Sequence, residues 1–591
     1  MTELLTYRNF EAGIENFEEL RTQKLVYIDK TSYLEDLVQR SKVMLLLRPR
    51  RFGKTLSMSM LSCFLEMNYQ HPEDRSRPER LFKDLDVYKN KAFCNEYMGR
   101  YPVLSITLKS IEGSDFAEAM KEMLSLLLEL LNKYAFLQKS SNQEEGNKLS
   151  LRSMIKICSR RDFRLGNKDN MDTAIDIAKN AMKLLSDMLY AEYEKEAVII
   201  IDEYDVPLQK AKVNGYYDKM LKVIKGMLGK ALKSNNSLAK GYVTGCLRIA
   251  HQSIFTDINN FDEFGINDAT YSRFIGLSRD EAIKLLCQCG MENRLLDVLE
   301  WYDGYNFAGH SMLCPWSVLK FLSRALDEDH DPAAFKPENY WANSSGNDII
   351  EICMKHPRPK DIERFQHLLE GKSEEIALRE FTTYPAITSD TDFDTFATLM
   401  LHTGYLTVVS DAVPSEKYRA VVKIPNKEVL ECFSEKAKTL FSESNPEWLD
   451  KACKITAAFF AGEADKASDI IEDMLVSFIS IRDTGYEYFY HGFMLGILSM
   501  TITNRMSMEY NRESGNGFSD IVIKNSKTGK AVILEFKKCE RDTPLETEKV
   551  CREALKQIEI NHYDQELKKE YPKVLKYGIA FVKKGCQVIK A

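Results

Sequence analysis

The sequence predicts a multidomain α/β protein, and three stretches carry that prediction. Val43 to Ser57, VMLLLRPRRFGKTLS, passes from an unbroken apolar run through a basic loop into helix-compatible residues. Ala197 to Asp205, AVIIIDEYD, is a β-branched run ending in acids, the pattern of a strand buried on both faces of a parallel sheet. Ser519 to Lys537 holds two strand-like runs around a turn, with Asp520 opening one and Glu535-x-Lys537 on the other. The expected architecture is a parallel sheet flanked by helices, then a helical, winged-helix-like middle region, then a smaller C-terminal α/β domain.

At 591 residues the chain exceeds one ordinary core, and we place boundaries at 1–275, 276–440, 441–482 (a helical connector) and 483–591. Hydrophobic residues make up 44% and charged residues 29%, a globular balance, and no apolar run reaches the length of a membrane span. Met1 to Tyr7 has neither a basic stretch nor an apolar core, so a secretion signal is not expected. The 13 cysteines are scattered without a C-x-x-C pair, which argues against zinc and for a reducing cytoplasm. Net charge is −7, yet residues 501–591 hold 18 Lys+Arg against 13 Asp+Glu, a net +5 that leaves −12 elsewhere. Such a mildly basic tail permits a phosphate-backbone partner and proves nothing more.

Taken in order, Leu25-Val26-Tyr27-Ile28 reads as a short strand, and Asp29 or Thr31 as the cap of a helix ending near Val38. The strand Val43–Leu47 then delivers Gly53-Lys54-Thr55 at a strand-to-helix turn, the setting of a P-loop. There backbone N–H groups cradle phosphates, the lysine reaches the β/γ oxygens and the threonine hydroxyl holds Mg²⁺. Arg48 stands where the general pattern has its first glycine. Pro102–Leu108 is another strand. Residues 115–136 form a helix whose Met120, Met123, Leu124, Leu127, Leu128 and Leu131 make a core stripe. The polar stretch 138–148 reads as a mobile loop, and 171–191 as the helix before the acidic strand. On that strand Asp202 is expected to orient the Mg²⁺ shell opposite Thr55, and Glu203 to polarise the attacking water. A buried strand ending in a solvated acidic turn is the plain alternative. Beyond it 214–235 is helical, and Gly241–Gly245 is a strand that sets Thr244 between the acids and the γ-phosphate. Arg248 would contact phosphate in cis and Arg273 from a neighbouring chain of a homo-oligomer, or each forms a surface ion pair.

Tyr27-Ile28-Asp29-Lys30-Thr31, the loop R-P-R-R-F-G-K-T at Arg48–Thr55 and Ile201–Pro207 together resemble the AAA-ATPase-like family, a widespread, mostly bacterial group. The likeness continues through Thr244-Gly245, Tyr302–Phe307, Pro315-Trp316-Ser317 and Tyr340–Asn343, nearly the whole chain. It implies a P-loop NTPase domain that binds ATP through Arg48, Pro49, Arg50, Arg51, Phe52, Gly53, Lys54, Thr55, Asp202, Thr244 and Arg248. Mg²⁺ would sit at Thr55 and Asp202. Ser278 to Leu299 resembles a lid helix pair. The aromatics of Trp301–Phe307 either stack on a base or pack a tight turn. Residues 315–440 alternate helices and short strands, and 446–480 are helical.

From Tyr486 the pattern changes. Glu487–Leu495 starts an apolar helix, Gly515-Asn516-Gly517 marks a turn, and Ser526–Gly529 joins the two strands that carry Asp520 and Glu535. Side chains alternate along a strand, so Glu535 and Lys537 share a face that a hairpin brings near Asp520. Two carboxylates and a lysine suit metal-assisted phosphodiester hydrolysis: the acids hold Mg²⁺, the metal acidifies a water, and the lysine steadies hydroxide or phosphate. This resembles the PD-(D/E)xK nuclease superfamily, a restriction-endonuclease-like α/β fold, with Ser519 in place of its proline. The resemblance implies that Glu487 is the acid of the preceding helix and Gln557 the polar residue of the following one. His491 reads as helix packing rather than a metal ligand.

The expected protein binds and hydrolyses ATP and couples this to Mg²⁺-dependent cleavage of nucleic acid, DNA first, in genome defence or mobile-element biology. The alternative is a nucleotide-switched DNA-binding or interaction protein with an inactive nuclease fold. No membrane partner is expected.

Overall fold

The computed structural model describes residues 5–160, 165–233, 235–247, 261–327, 335–341, 364–365, 367–368, 371–378, 392–409, 419–433, 446–478, 490, 493–494, 497–498, 501–502, 506–514, 517–539, 541 and 543–591. The chain divides into two compact units, residues 1–345 with 375–429 and residues 346–374 with 430–591. The first unit thus takes in the phosphate-loop sheet together with much of the stretch expected as a separate middle domain.

Its centre is a parallel sheet of β1 (Val43–Leu47), β2 (Val103–Thr107), β3 (Ala197–Asp202), β4 (Leu238–Gly245) and β5 (Phe261–Phe264), ordered β2-β3-β4-β1-β5. β1 and β3 are buried at every position, as unbroken apolar runs require when helices cover both faces. β4 lies between them, pairing Thr244 with Leu46 and Val243 with Ile201, so all three strands end along one edge. The helix Phe116–Lys133, capped by Asp115 on the Glu118 N–H, buries Met120, Met123, Leu124, Leu127 and Leu131. Leu128 stands half-buried at the edge of that stripe.

Two expectations are corrected here. Leu25–Ile28 joins no sheet among the described residues: the Val26 N–H bonds to Asn9 O at 2.8 Å, and Val26 and Ile28 pack on a cluster containing Leu285, Val298 and Phe321. Its apolar residues answer to packing rather than to a ladder. The stretch 138–148 is not a loop throughout, because the helix Glu145–Cys158 begins inside it. Gln143 is buried there and donates to Met188 O at 2.7 Å, an anchor that polar composition conceals.

The middle of the chain is helical: Arg279–Gln288, Leu295–Tyr302, Pro315–Ala325 and Phe393–Thr403. Ser278 and Glu281 form a capping box on the first of these helices. Two small sheets accompany them, β6 (Leu277–Ser278), β7 (Tyr305–Phe307) and β8 (His310–Leu313), and β9 (Glu374–Ala377), β10 (Thr407–Val408) and β11 (Arg419–Lys423). Tyr302, Tyr305 and Phe307 are buried, so this aromatic cluster packs a turn.

The second unit is built on a mixed sheet in chain order, β12 (Met506–Ser514), β13 (Gly517–Asn525), β14 (Lys530–Lys538), β15 (Lys573–Val582) and β16 (Gly585–Lys590). Only β14 and β15 run parallel, joined by the crossover helix Pro544–Ile560. Ile521, Ile523, Val532, Leu534 and Phe536 pack with residues of the helices Pro446–Ala461 and Ala464–Phe478, while Val522, Ala531 and Ile533 pack with Ile558 of the crossover helix. At Gly578 an added Cβ would lie 2.1 Å from Cys551 O, so that helix backbone rests directly on β15. Among the described residues no helix is long and apolar enough to cross a membrane.

Candidate phosphate sites

The loop after β1 ends at Gly53, whose φ of +94° turns the chain into the helix Lys54–Leu65. Among the described residues nothing lies within 4 Å of a Cβ built there, and the N–H groups at the start of that helix are the kind that bind phosphate oxygens. Lys54 is buried, with Nζ 3.2 Å from Pro49 O, 3.4 Å from Cys246 Sγ and 3.2 Å from Glu203 Oε1. Burial alone would lower its pKa; Cys246, Glu203, Asp202 and Asp205 around it raise it on balance.

Asp202, at the end of β3, accepts from three hydroxyls. Thr55 Oγ1 donates at 2.6 Å, Thr107 Oγ1 at 3.5 Å, and Thr244 Oγ1 donates to the other carboxylate oxygen. β4 is the neighbour of β3 on the β1 side, and from it Thr244 reaches the Asp202 oxygen that Thr55 does not use. Burial and the nearby Glu203 push Asp202 above the ordinary aspartate range. The same two causes, in that order, push Asp205 up to about 6.

Asp205 was read in the sequence only as part of the acidic turn. It is buried, with one oxygen accepting from the Cys246 and Leu247 N–H groups at 3.0 Å each and the other, Oδ1, without a partner among the described residues. Gly245 makes room for it, since a Cβ there would meet Asp205 Oδ1 at 2.7 Å. The signal was present in the spacing, an acid two residues beyond Glu203 and a glycine directly after Thr244. Three carboxylates around one ammonium are an excess of negative charge, which a divalent cation held by Thr55 and Asp202 would offset.

The remaining loop side chains divide by direction. Arg48 is buried behind the loop, donating to Leu47 O at 2.7 Å, Gly265 O at 2.8 Å and Tyr271 O at 2.6 Å, so its guanidinium braces the loop from behind. Pro49 lies under Gly404, and Phe52 packs edge-on against Tyr305 and on Phe307. Arg51, at φ +67°, donates to Tyr340 O at 2.6 Å with its guanidinium 4.6 Å from the centre of the Trp316 ring. Arg50 donates to Gln209 Oε1 on the helix Val206–Val213. Arg248 lies outside the described residues; Arg273 is exposed, and its carbonyl accepts from Lys30 Nζ at 2.9 Å.

In the second unit Asp520 stands one step beyond the Ile521–Leu534 pair, level with Glu535 on the neighbouring strand. Asp520 N–H donates to Glu535 Oε2 at 3.4 Å, and Phe536 N–H donates to Asp520 Oδ2 at 2.7 Å. Glu535 is buried and Lys537 half-buried, both on the face of Ala531 and Ile533. A divalent cation would find two carboxylates side by side and an ammonium on the same strand face. Glu487 and His491 lie outside the described residues, and among the described ones no group of three acids, histidines or cysteines forms a metal cluster. Gln557 is half-buried on the crossover helix. Glu535 pairs with Gly578, which meets Cys551, and Gln557 lies about 9 Å further along that helix at 1.5 Å per residue.

Residues 11–255 match the family described as "Predicted AAA-ATPase", and residues 485–591 match the PD-(D/E)XK nuclease superfamily. A curated protein described as "Uncharacterized protein in vnfD 5'region", from Azotobacter chroococcum, is 21% identical over 433 residues, 72% of this chain and 69% of its own. A solved structure of a signal transduction ATPase with numerous domains, with a tetratricopeptide repeat sensor, from Pyrococcus horikoshii, aligns at 11% identity with a TM-score of 0.21. That alignment covers 80% of this chain and spans about half of the other, 53%.

Proposed function

We propose, for a chain that carries an AAA-ATPase-like domain over residues 11–255 and a PD-(D/E)XK nuclease superfamily domain over 485–591, that ATP turnover at the first licenses nucleic-acid cleavage at the second. The observation that carries the reading is the linkage of Thr55, Asp202 and Thr244, with Lys54 3.2 Å from Glu203 at the end of the same strand. ATP supplies the phosphoanhydride and Mg²⁺ the charge that offsets the carboxylates. Lys54 and the backbone N–H groups at the helix start bind phosphate oxygens, and Thr55 and Asp202 hold the cation. A phosphate oxygen competes with Glu203 for the Lys54 ammonium, which leaves Glu203 to take a proton from the attacking water.

In the second unit Asp520 and Glu535 hold Mg²⁺ or Mn²⁺, and Lys537 steadies the hydroxide or the scissile phosphate. DNA is the proposed substrate, in a reducing cytoplasm and a bacterial defence or mobile-element setting; the free thiols among the described cysteines accord with that compartment. Assembly into a homo-oligomer belongs to the same proposal, with Arg273 directed at a neighbour's site.

The test is incubation with ATP, Mg²⁺ or Mn²⁺ and a panel of DNA and RNA forms, reading phosphate release and strand scission together. Glu203→Gln is expected to retain ATP and stop its turnover. An unchanged rate in that variant overturns the first assignment. Metal-dependent scission that survives Lys537→Ala overturns the second. Strand binding without scission in the unaltered protein would favour the switched binding protein instead.

A further inference from the structure

The phosphate loop carries three arginines, and two of them are turned away from the carboxylates. Arg48 is spent on carbonyls of its own strand and of the chain beyond β5, and Arg51 on Tyr340 O and the Trp316 ring. Arg50 instead meets Gln209 Oε1. Gln209 lies on the helix that opens directly after Asp205, so the Arg50 guanidinium is held toward the acids that close β3.

Gln209 is an unusual neighbour. It lies one helical turn after Asp205, with its N–H on Asp205 O at 3.0 Å, and is buried with only 3% of its surface exposed. Since Oε1 must accept from Arg50, the amide nitrogen is fixed on the other branch, and Nε2 has no partner among the described residues. A buried amide donor left unmet costs free energy, so a buried glutamine in this position calls for an acceptor.

We propose that Arg50 and Gln209 form one reader of the terminal phosphate. Gln209 holds the Arg50 guanidinium at the loop and turns its own N–H groups the same way, so the pair recognises ATP and not ADP. Arg50 is then the catalytic cation supplied in cis, offsetting charge as the terminal phosphoryl group departs, and Gln209 is its positioning residue. The inference rests on the ATP-site reading of the first unit.

The test uses the full chain and measures equilibrium binding of ATP and of ADP separately by calorimetry, alongside turnover. Arg50→Ala and Gln209→Leu are each expected to weaken ATP about 10-fold or more while leaving ADP affinity and the melting temperature unchanged. The double variant is expected to lose no more than Arg50→Ala alone, because partners acting as a unit are not additive. Equal weakening of ATP and ADP, no change in either, or strictly additive losses overturns the pairing. If the unaltered protein binds neither nucleotide, the site reading itself fails and this inference falls with it.

Discussion

The two proposed phosphate centres are held in place by different means. At the first, side chains hold most of the side chains, with three threonine hydroxyls on Asp202, an ammonium on Glu203 and a guanidinium on Gln209, while Asp205 rests on the Cys246 and Leu247 N–H groups. At the second, backbone holds side chains: the Asp520 N–H on Glu535 and the Phe536 N–H on Asp520, both fixed by the register of β13 and β14. The lesson is that the first centre can be disarmed one group at a time with the sheet intact. The second depends on its ladder and on whatever keeps β14 and β15 in step.

The largest expected effect tests whether the second centre is chemically separate. Asp520→Ala removes a carboxylate proposed to hold the metal, and strand scission should fall on the order of 1,000-fold with ATP turnover unchanged. Loss of both activities together would break the comparison. Lys54→Ala is its counterpart at the first centre. Turnover of ATP should fall on the order of 100-fold, read as phosphate release, with circular dichroism unaltered because the change removes only a side chain at the helix start. Gly578→Ala comes next and addresses the ladder. Its Cβ would sit 2.1 Å from Cys551 O, so helix and strand must separate, at a cost of about 3 kcal/mol. Thermal unfolding of the full chain should show a lowered transition and lost scission, with ATP binding retained. An unshifted transition would mean that the helix does not rest on β15.

The strands that carry both candidate sites were legible in the sequence where burial leaves a mark. β1, β3 and β14 are covered on both faces, so each is written as an unbroken apolar run, and the charged residues that close β3 and β14 stand out against it. Where burial depends on partners distant in sequence, the same reading fails. Asp205 stood only as part of the acidic turn although Gly245 makes room for its burial, and nothing local marks Gln209 as buried. Leu25–Ile28 has the composition of a strand but packs on the cluster of Leu285, Val298 and Phe321, and 138–148 has that of a loop although Gln143 is anchored. The R-P-R-R-F motif marked an ATP-binding loop without saying which way its side chains turn. Four of those side chains brace or pack the loop from behind, and no local pattern announces the Trp316 and Tyr340 partners of Arg51.

The smallest effect sharpens the comparison by following that bracing one step further. Glu428 is fully buried and accepts from Ser317 Oγ at 2.7 Å and from the Tyr340 and Trp341 N–H groups at 2.8 and 3.1 Å, and so fixes the carbonyl and ring that face Arg51. Burial pushes it up from the ordinary glutamate value of 4.5 to about 7, against the pull of those donors and of Arg51. A carboxyl raised in the folded state binds its proton more tightly there than in the unfolded chain. Its contribution to stability is therefore full below pH 4.5 and is lost as pH rises through about 7. Asp205, pushed up to about 6, adds a loss of the same sign ending lower on the pH scale. Glu428→Gln keeps an acceptor for both N–H groups and offers its amide to Ser317, so the cradle survives without a charge. The variant should match the parent near pH 5 and exceed it by on the order of 2 kcal/mol at pH 8. Chemical denaturation at several pH values reads the difference directly. Parallel curves for parent and variant would mean that Glu428 is ionised in the folded chain, and that the scaffold behind the phosphate loop carries a buried charge rather than a buried acid.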